Sequence, residues 1–224
     1  MKKLLMEEEN KMHKVNRGIK PKSLNDNDLE WTRDLLVQVP LNNTFTDIPS
    51  KYVNKYKQED VKQVLIEMYE GLCCYCESPI GVQTYEQIEH LKPKSIFPQF
   101  CFEWTNLHLS CQVCNISYKK TNWDKDNPIL DPTVDKIEDF LEIDLESGEI
   151  VPINNNARAN TTIEHTGLNR DNLVKRRKSI IITMKKLLII AVNANEIDDF
   201  KEILEIMSED MGYKLLINTF IKKL

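Results

Sequence analysis

The spacing of apolar positions divides the chain into helical and extended stretches. From Gln58-Glu59-Asp60 onward, Val61, Val64, Leu65, Met68 and Tyr69 recur at helical spacing, and Gly71 stands as a stop. A shorter helix is expected over residues 27–37, capped by Asn27 or Asp28, with Leu29, Thr32 and Leu36 on one face. Residues 39–57 hold Pro40, Pro49, Asn42-Asn43 and isolated aromatics, and read as loop. A long helix is predicted from Asp171 or Asn172 to about Val192, carried by Leu173, Ile180, Met184 and Leu187. A last helix or helix pair covers 196–224, with Phe200, Ile203, Leu204 and Met207 inward and Gly212 as a break.

Extended structure is expected elsewhere. Residues 85–90 read as a strand with Ile88 and His90 on one face and Glu89 on the other. Pro93 and Pro98 force a loop containing Phe97, Phe100 and Phe102. Residues 104–110 then return as strand or turn with Trp104, Leu107 and Leu109 inward, and a short helix after Cys111 carries Asn115 and Lys119. The result is a ββα unit. A second hairpin is expected over 144–151 with Gly148 in its turn, followed by loop over 154–160. The fold class is therefore α+β: a central ββα core within a mostly helical chain. Three regions are expected: an N-terminal extension and arm over 1–57, the core over 58–132, and a mostly helical part over 133–224.

Composition adds little to that picture. The chain has 224 residues, 41% of them hydrophobic and 29% charged, with only 6 Gly, as in a soluble globular protein rich in helix. No apolar run is long enough to span a membrane. The few apolar residues before Glu7-Glu8-Glu9 are too short for the core of a signal peptide, so a cytoplasmic location and reduced cysteines are expected. Charge distribution says more than the net −5. Arg170, Lys175, Arg176, Arg177, Lys178, Lys185 and Lys186 lie close together, opposed only by Asp171, while acidic residues gather in 135–149 and 196–210. This basic helix has two readings, a face for nucleic acid or docking and a solvated face. Its one-sided charge favours the first.

The candidate chemistry lies between residues 73 and 120. Cys73 and Cys76 form one Cys-x-x-Cys pair and Cys111 and Cys114 another. Two such turns supply the four thiolates of a closed tetrahedral zinc site. Cys74-x-Cys76 has the wrong spacing, so Cys74, like Cys101, is read as a small hydrophobe. The segment between the pairs is about twice the roughly 15–20 residues of a simple zinc ribbon. That leaves room for a hairpin with its own chemistry, and it contains Glu89-His90 and Asn106, with Asn115 directly after the second pair. A histidine with a pKa near 6.5 can take a proton at cellular pH. His108 and His165 lack such a context and are read as structural; His13 lies in the tail.

In its Cys73-Cys74-Tyr75-Cys76-Glu77, Ile88-Glu89-His90-Leu91-Lys92-Pro93 and Asn106 to Asn115 segments the chain resembles the HNH endonucleases of the ββα-metal class, in their four-cysteine form. The resemblance implies that His90 is the general base and that Asn106 holds the hairpin and orients it. It also implies that Glu89 and Asn115, in place of the more usual Asp and His, hold a catalytic ion, here Mg²⁺ or Mn²⁺. Lys92 and Lys119 would steady neighbouring phosphates, and products would carry a 5′-phosphate and a 3′-hydroxyl. From Met12 to Ile190, with Lys14 to Pro21, Pro128-x-x-Asp131-Pro132 and Gly167-Leu168-Asn169-Arg170, the chain further resembles the HNH subunit of Septu anti-phage systems and of related retron systems. That family acts with an ABC-type ATPase, and retron versions add a reverse transcriptase and its DNA product. The expected function is metal-dependent cleavage of nucleic acid, DNA before RNA such as tRNA, with Arg170, Lys175, Arg176 and Arg177 on the binding face. The alternative is a zinc-stapled adapter that binds nucleic acid or the ATPase and cuts nothing. It would need neither Glu89-His90 nor Asn115.

Overall fold

A proline sets the entry into the fold. Pro21 cannot sit in a helix interior but suits its first turn, and α1 (Lys22–Gln38) begins directly after it. The computed structural model describes residues 15–81 and 85–223. The expected charged extension, His13 and the Lys14 end of the arm lie outside the described residues. The rest of the arm is extended and pinned. Val15 donates its N–H to the Pro132 carbonyl, and the Arg17 guanidinium reaches the carbonyls of Trp104, Thr105 and Leu107.

Helix α1 starts five residues before its expected position and turns a different face inward. Leu24 and Leu35 are buried, with Trp31 edge-on to Phe102, whereas Leu29 is 79% exposed and Leu36 40%. The buried stripe is interrupted by Asp28, which pairs with Lys20, and that charge hides the stripe in the sequence. The expected loop over 39–57 is mostly tight turns with one short helix, α2 (Ser50–Val53), and it delivers Val53 and Tyr56 to the core.

Helix α3 (Glu59–Met68) follows its apolar spacing, burying Val61 and Leu65. Its end is sharp because Glu70 and Gly71 both take positive φ, and the Gly71 N–H returns to the Ile66 carbonyl. That reversal aims the chain at the first cysteine pair. Strands β1 (Glu86–His90) and β2 (Leu107–Cys111) pair antiparallel, with His90 opposite Leu107 and Glu89 opposite His108. A π-helix (Val113–Lys119) follows, giving strand, strand and helix in the expected order. β2 is buried on both faces, His108 and Ser110 included.

The second hairpin is also formed, by β3 (Leu141–Ile143) and β4 (Ile150–Pro152), with Gly148 at φ +77° in the turn. A Cβ there would come within 3.0 Å of the Val174 carbonyl oxygen, so a larger residue meets both backbone strain and crowding. Part of the expected 154–160 loop is helical instead. Asn156 accepts from the Ala159 N–H and caps α4 (Ala157–Thr166). Its buried face is rich in threonine, and Thr161, Thr162 and Thr166 satisfy their hydroxyls on carbonyls four residues back. A polar stripe of this kind gives no hydrophobic period to read.

Helix α5 (Asp171–Ala194) appears as expected, followed by α6 (Ile197–Met211) and α7 (Lys214–Lys222), broken at Gly212. Phe200 and Leu204 are buried, but Ile203 is 43% exposed. Hydrogen bonds cross both expected region boundaries: Ser23 to Asp60, Val15 to Pro132 and Tyr213 to Glu77. The architecture is α+β, mostly helical, with two small antiparallel sheets. Among the described residues no helix is long and apolar enough to cross a membrane.

Candidate metal centre and the adjoining histidine site

The four expected cysteines converge. The Sγ atoms of Cys73, Cys76, Cys111 and Cys114 all lie within 4.8 Å of one another and all four residues are buried. Tetrahedral Zn–S bonds of about 2.3 Å require sulfur–sulfur edges of roughly 3.8 Å. Cys76 and Cys111 stand 3.9 Å apart. Four soft donors in a closed, buried cluster fit a metal such as zinc. Local backbone makes this possible. The Glu77 N–H returns to the Cys73 carbonyl and the Cys73 N–H bonds the Ser78 carbonyl, closing the first turn with Glu77 at φ +56°. The Cys74 N–H pairs with the Leu109 carbonyl, docking this turn on β2 beside the second pair.

Donors surround the sulfurs. The Cys111 N–H points at Cys73 Sγ (3.3 Å), the Cys114 N–H at Cys111 Sγ (3.4 Å), and Arg170 Nη1 at Cys114 Sγ (3.3 Å). Four thiolates on a dication would carry two surplus negative charges, and Arg170 would offset one of them. Arg170 also bonds the Gly167 carbonyl and lies over the Tyr118 ring. One guanidinium nitrogen is thus engaged at the cluster, while the residue stays half-buried. On the other flank, the Glu77 carboxylate accepts from the Leu215 N–H and so caps α7, while its carbonyl accepts from Tyr213. A Cβ on Gly212 would strike that carbonyl at 2.2 Å, so only glycine lets the C-terminal helix seat on the cysteine turn.

His90 ends β1 and is buried. Its Nε2 lies 2.9 Å from the Cys101 carbonyl, and its ring meets Tyr56 edge to face at 4.5 Å. A carbonyl oxygen only accepts, so Nε2 carries the proton and Nδ1 holds the lone pair. Nδ1 has no partner among the described residues. Burial, reinforced by Lys94, pushes the His90 pKa well below the usual histidine value, which keeps the ring neutral. Asn106 holds the loop that follows. Its Oδ1 accepts from the Lys92 N–H (2.7 Å) and its Nδ2 donates to the Lys92 and Phe100 carbonyls (3.1 and 3.0 Å).

Glu89 is only 2% exposed. Its Oε1 is paired with Lys119 and accepts from the Tyr75 hydroxyl at 3.2 Å, whereas no partner falls on Oε2 among the described residues. Lys119 is itself 1% exposed and also donates to the His90 carbonyl at 2.7 Å. Asn115 lies about one turn before Lys119 on the π-helix and is half-buried; its side-chain amide has no hydrogen-bond partner among the described residues. One carboxylate oxygen and one amide oxygen are hard donors of the type that suits Mg²⁺ or Mn²⁺.

The residues expected to grip nucleic acid divide sharply. Lys175 and Arg176 are exposed on α5 and form no ion pair among the described residues. Lys92 is half-buried with its ammonium over the Phe100 ring. Lys119 and Arg177 do not face solvent. Arg177 is 1% exposed, and it donates to the Gly148 and Leu168 carbonyls and to Asn169 Oδ1. It ties the β3–β4 turn to α5, and its place in a basic run is misleading. Sequence reasoning did not find Tyr56, Tyr75 or the Cys101 carbonyl as neighbours of the histidine site. A carbonyl leaves no signature in sequence, and Tyr56 arrives from a segment with no periodic pattern.

No family model matches the chain. It is 36% identical over 129 residues to "Septu protein PtuB" of Bacillus mycoides (strain KBAB4), a match covering 52% of this chain and 44% of that protein. It is 33% identical over 144 residues to "Septu protein PtuB" of Bacillus thuringiensis, covering 60% of this chain and 53% of that one. The chain spans about half the length of these curated relatives. With its four clustered cysteines, the chain is a homologue of proteins named Septu protein PtuB.

Proposed function

We propose that the chain is a metal-dependent HNH endonuclease, the cutting component of an anti-phage defence complex that includes an ABC-type ATPase. The observation that carries this reading is the state of His90. Its Nε2–H is tied to a backbone carbonyl and its Nδ1 lone pair is unengaged, beside Glu89 and between two cysteine pairs. In this reading Nδ1 accepts the proton of the attacking water, and the neutral ring is ready to do so at cellular pH. The Cys101 carbonyl then steadies the imidazolium that forms. Asn106 keeps the loop after β1 in place, and Tyr56 excludes water from one side of the ring. Glu89 and Asn115 would hold the divalent ion, which when bound supplies Lewis-acid stabilisation of the phosphate and the departing 3′ oxygen. Lys175 and Arg176 on α5 would grip the nucleic-acid backbone, with DNA favoured over RNA.

One observation favours a second reading, the non-catalytic zinc-stapled adapter: Glu89 is buried and already paired with Lys119. The deciding experiment incubates plasmid DNA and total RNA with the purified chain and its ATPase partner, with Mn²⁺ or EDTA, comparing wild type and His90→Ala. Metal-dependent cutting that disappears in the variant supports the nuclease and names its substrate. Cutting that survives His90→Ala sinks the mechanism, and no cutting of either pool by a zinc-loaded chain favours the adapter.

A further inference from the structure

We propose that Lys119 is a resident cation of the Glu89–His90 centre, set there so that a divalent ion binds only together with a nucleic-acid phosphate. The inference deepens the nuclease reading and rests on it. Lys119 was expected on a phosphate-facing surface. Instead it is buried, spans both residues at the end of β1, pairs with Glu89 Oε1 and donates to the His90 carbonyl. The π-helix brings it there.

The consequence is electrostatic. Glu89 is the carboxylate of this centre, and the Lys119 ammonium pairs with it. Asn115, on the same π-helix as Lys119, would add only a neutral amide. Two further cations stand close by: Lys94 donates to the Tyr56 hydroxyl at 3.1 Å, and both Lys94 and Lys57 lie over the Tyr56 ring that covers His90. A divalent ion arriving alone therefore meets no net negative charge, and in a buried setting that repulsion is poorly screened. A phosphodiester reverses the balance by bringing its own negative oxygens. The geometry still leaves a place for the ion, because Lys119 and Tyr75 take only Oε1 and no described residue bonds Oε2. Lys119 is thus a positioning residue that fixes which oxygen of Glu89 is offered. It also couples metal occupancy to substrate, which keeps the centre inert until nucleic acid is in place.

The test reads metal binding rather than cleavage. Mn²⁺ affinity of the zinc-loaded full chain is measured by electron paramagnetic resonance, with and without a non-cleavable phosphorothioate oligonucleotide, for wild type, Lys119→Met, Lys119→Arg and Glu89→Gln. Wild type and Lys119→Arg are expected to bind Mn²⁺ weakly alone and at least about tenfold more tightly with the oligonucleotide. Lys119→Met is expected to bind Mn²⁺ at least about tenfold more tightly than wild type without any oligonucleotide, and Glu89→Gln to lose that site. Unchanged or weaker Mn²⁺ binding by Lys119→Met overturns the inference, since a purely structural tether predicts that result. So does an equally tight site in Glu89→Gln. Should Lys119→Met lose its fold, Lys119→Gln, which keeps a donor for the His90 carbonyl, carries the same comparison. Failure of the nuclease reading would show separately, as cutting indifferent to His90→Ala.

Discussion

The cysteine cluster and the Glu89–His90 centre share the same hairpin, yet they are built in opposite ways. The cluster is made by local turns. Each Cys-x-x-Cys pair presents two sulfurs within one turn, and β2 with the docked first pair needs only to bring the turns together. The histidine centre takes two adjacent strand residues and surrounds them with groups from distant parts of the chain: Tyr56, Tyr75, the Cys101 carbonyl and Lys119. A site made of local turns is robust and announces itself in sequence. One assembled from long-range contacts is tunable, and its tuning is invisible until the chain is folded.

The largest expected effect separates the two regions most cleanly. Cys111→Ser removes one sulfur of the cluster and the acceptor of the Cys114 N–H. Structural zinc is worth about 10–16 kcal/mol in small domains, as much as a whole domain's net stability. The variant should lose its metal and its cooperative unfolding transition, and the seating of α7 on Glu77 should go with it. Metal content and near-ultraviolet circular dichroism check this. A variant that keeps one zinc per chain and its melting temperature would break the comparison from the structural side.

His90→Ala comes next and should act on the other region alone. On the nuclease reading, loss of the proposed general base lowers cleavage by about 10²–10⁴-fold. Zinc content should not change, because among the described residues His90 makes no hydrogen bond to a sulfur of the cluster; the sulfur it meets is Cys101 Sγ, at 3.9 Å. Loss of zinc in this variant would mean that the two centres are one unit.

How much of this was legible in the sequence follows the same division. The convergence of the four cysteines, the strand carrying Glu89-His90, the ββα order and the second hairpin were all readable, because spacing and alternation are local signals. Helix α4 was not, because threonines replace apolar residues on its buried face and bond their own backbone. The inward face of α1 was misread because Asp28 breaks its apolar stripe. Lys119, Arg170 and Arg177 all looked like surface cations, since charge is read in sequence without burial. Folding turns them into a partner for Glu89, a counter-charge for Cys114 and a brace for Gly148.

Arg177 makes that last point measurable. Arg177→Met leaves the Gly148 and Leu168 carbonyls without their charged donor, and should cost about 3 kcal/mol of stability. The double variant Lys175→Ala, Arg176→Ala removes two exposed cations from the same helix and should leave stability within about 0.5 kcal/mol. Nucleic-acid affinity should respond the other way round, falling in the double variant with a shallower salt dependence, and holding in whatever fraction of Arg177→Met is folded. Urea unfolding and filter binding at two salt concentrations give both readings. Equal stability losses in the two variants would return Arg177 to the surface.

The smallest effect compares the two histidines of the hairpin through pH. His108 stands opposite Glu89 on β2 and is as buried as His90. Arg17 Nη2, which can only donate, faces its Nε2 at 3.2 Å, so the proton sits on Nδ1, toward the Tyr69 hydroxyl. Burial pushes both histidine pKa values well below normal. Unfolded, each titrates near about 6.5. The unfolded chain therefore takes up protons that the folded chain refuses. The stability from each neutral ring is fully present above that value and is lost as pH falls below it, toward the depressed folded pKa. The limiting slope is about 1.4 kcal/mol per pH unit for each ring. His108→Gln should flatten the stability profile between about pH 5 and 6 by up to that amount and leave cleavage near wild type at neutral pH. His90→Gln should flatten it similarly and, on the nuclease reading, lower cleavage as His90→Ala does. Carboxylates and cysteines contribute to acid unfolding in all three proteins and cancel in the differences. If His108→Gln runs parallel to wild type, its ring is protonated in the fold, and the charge it then carries beside Arg17 must be balanced by Asp131, whose carboxylate lies 3.9 Å from Nε2.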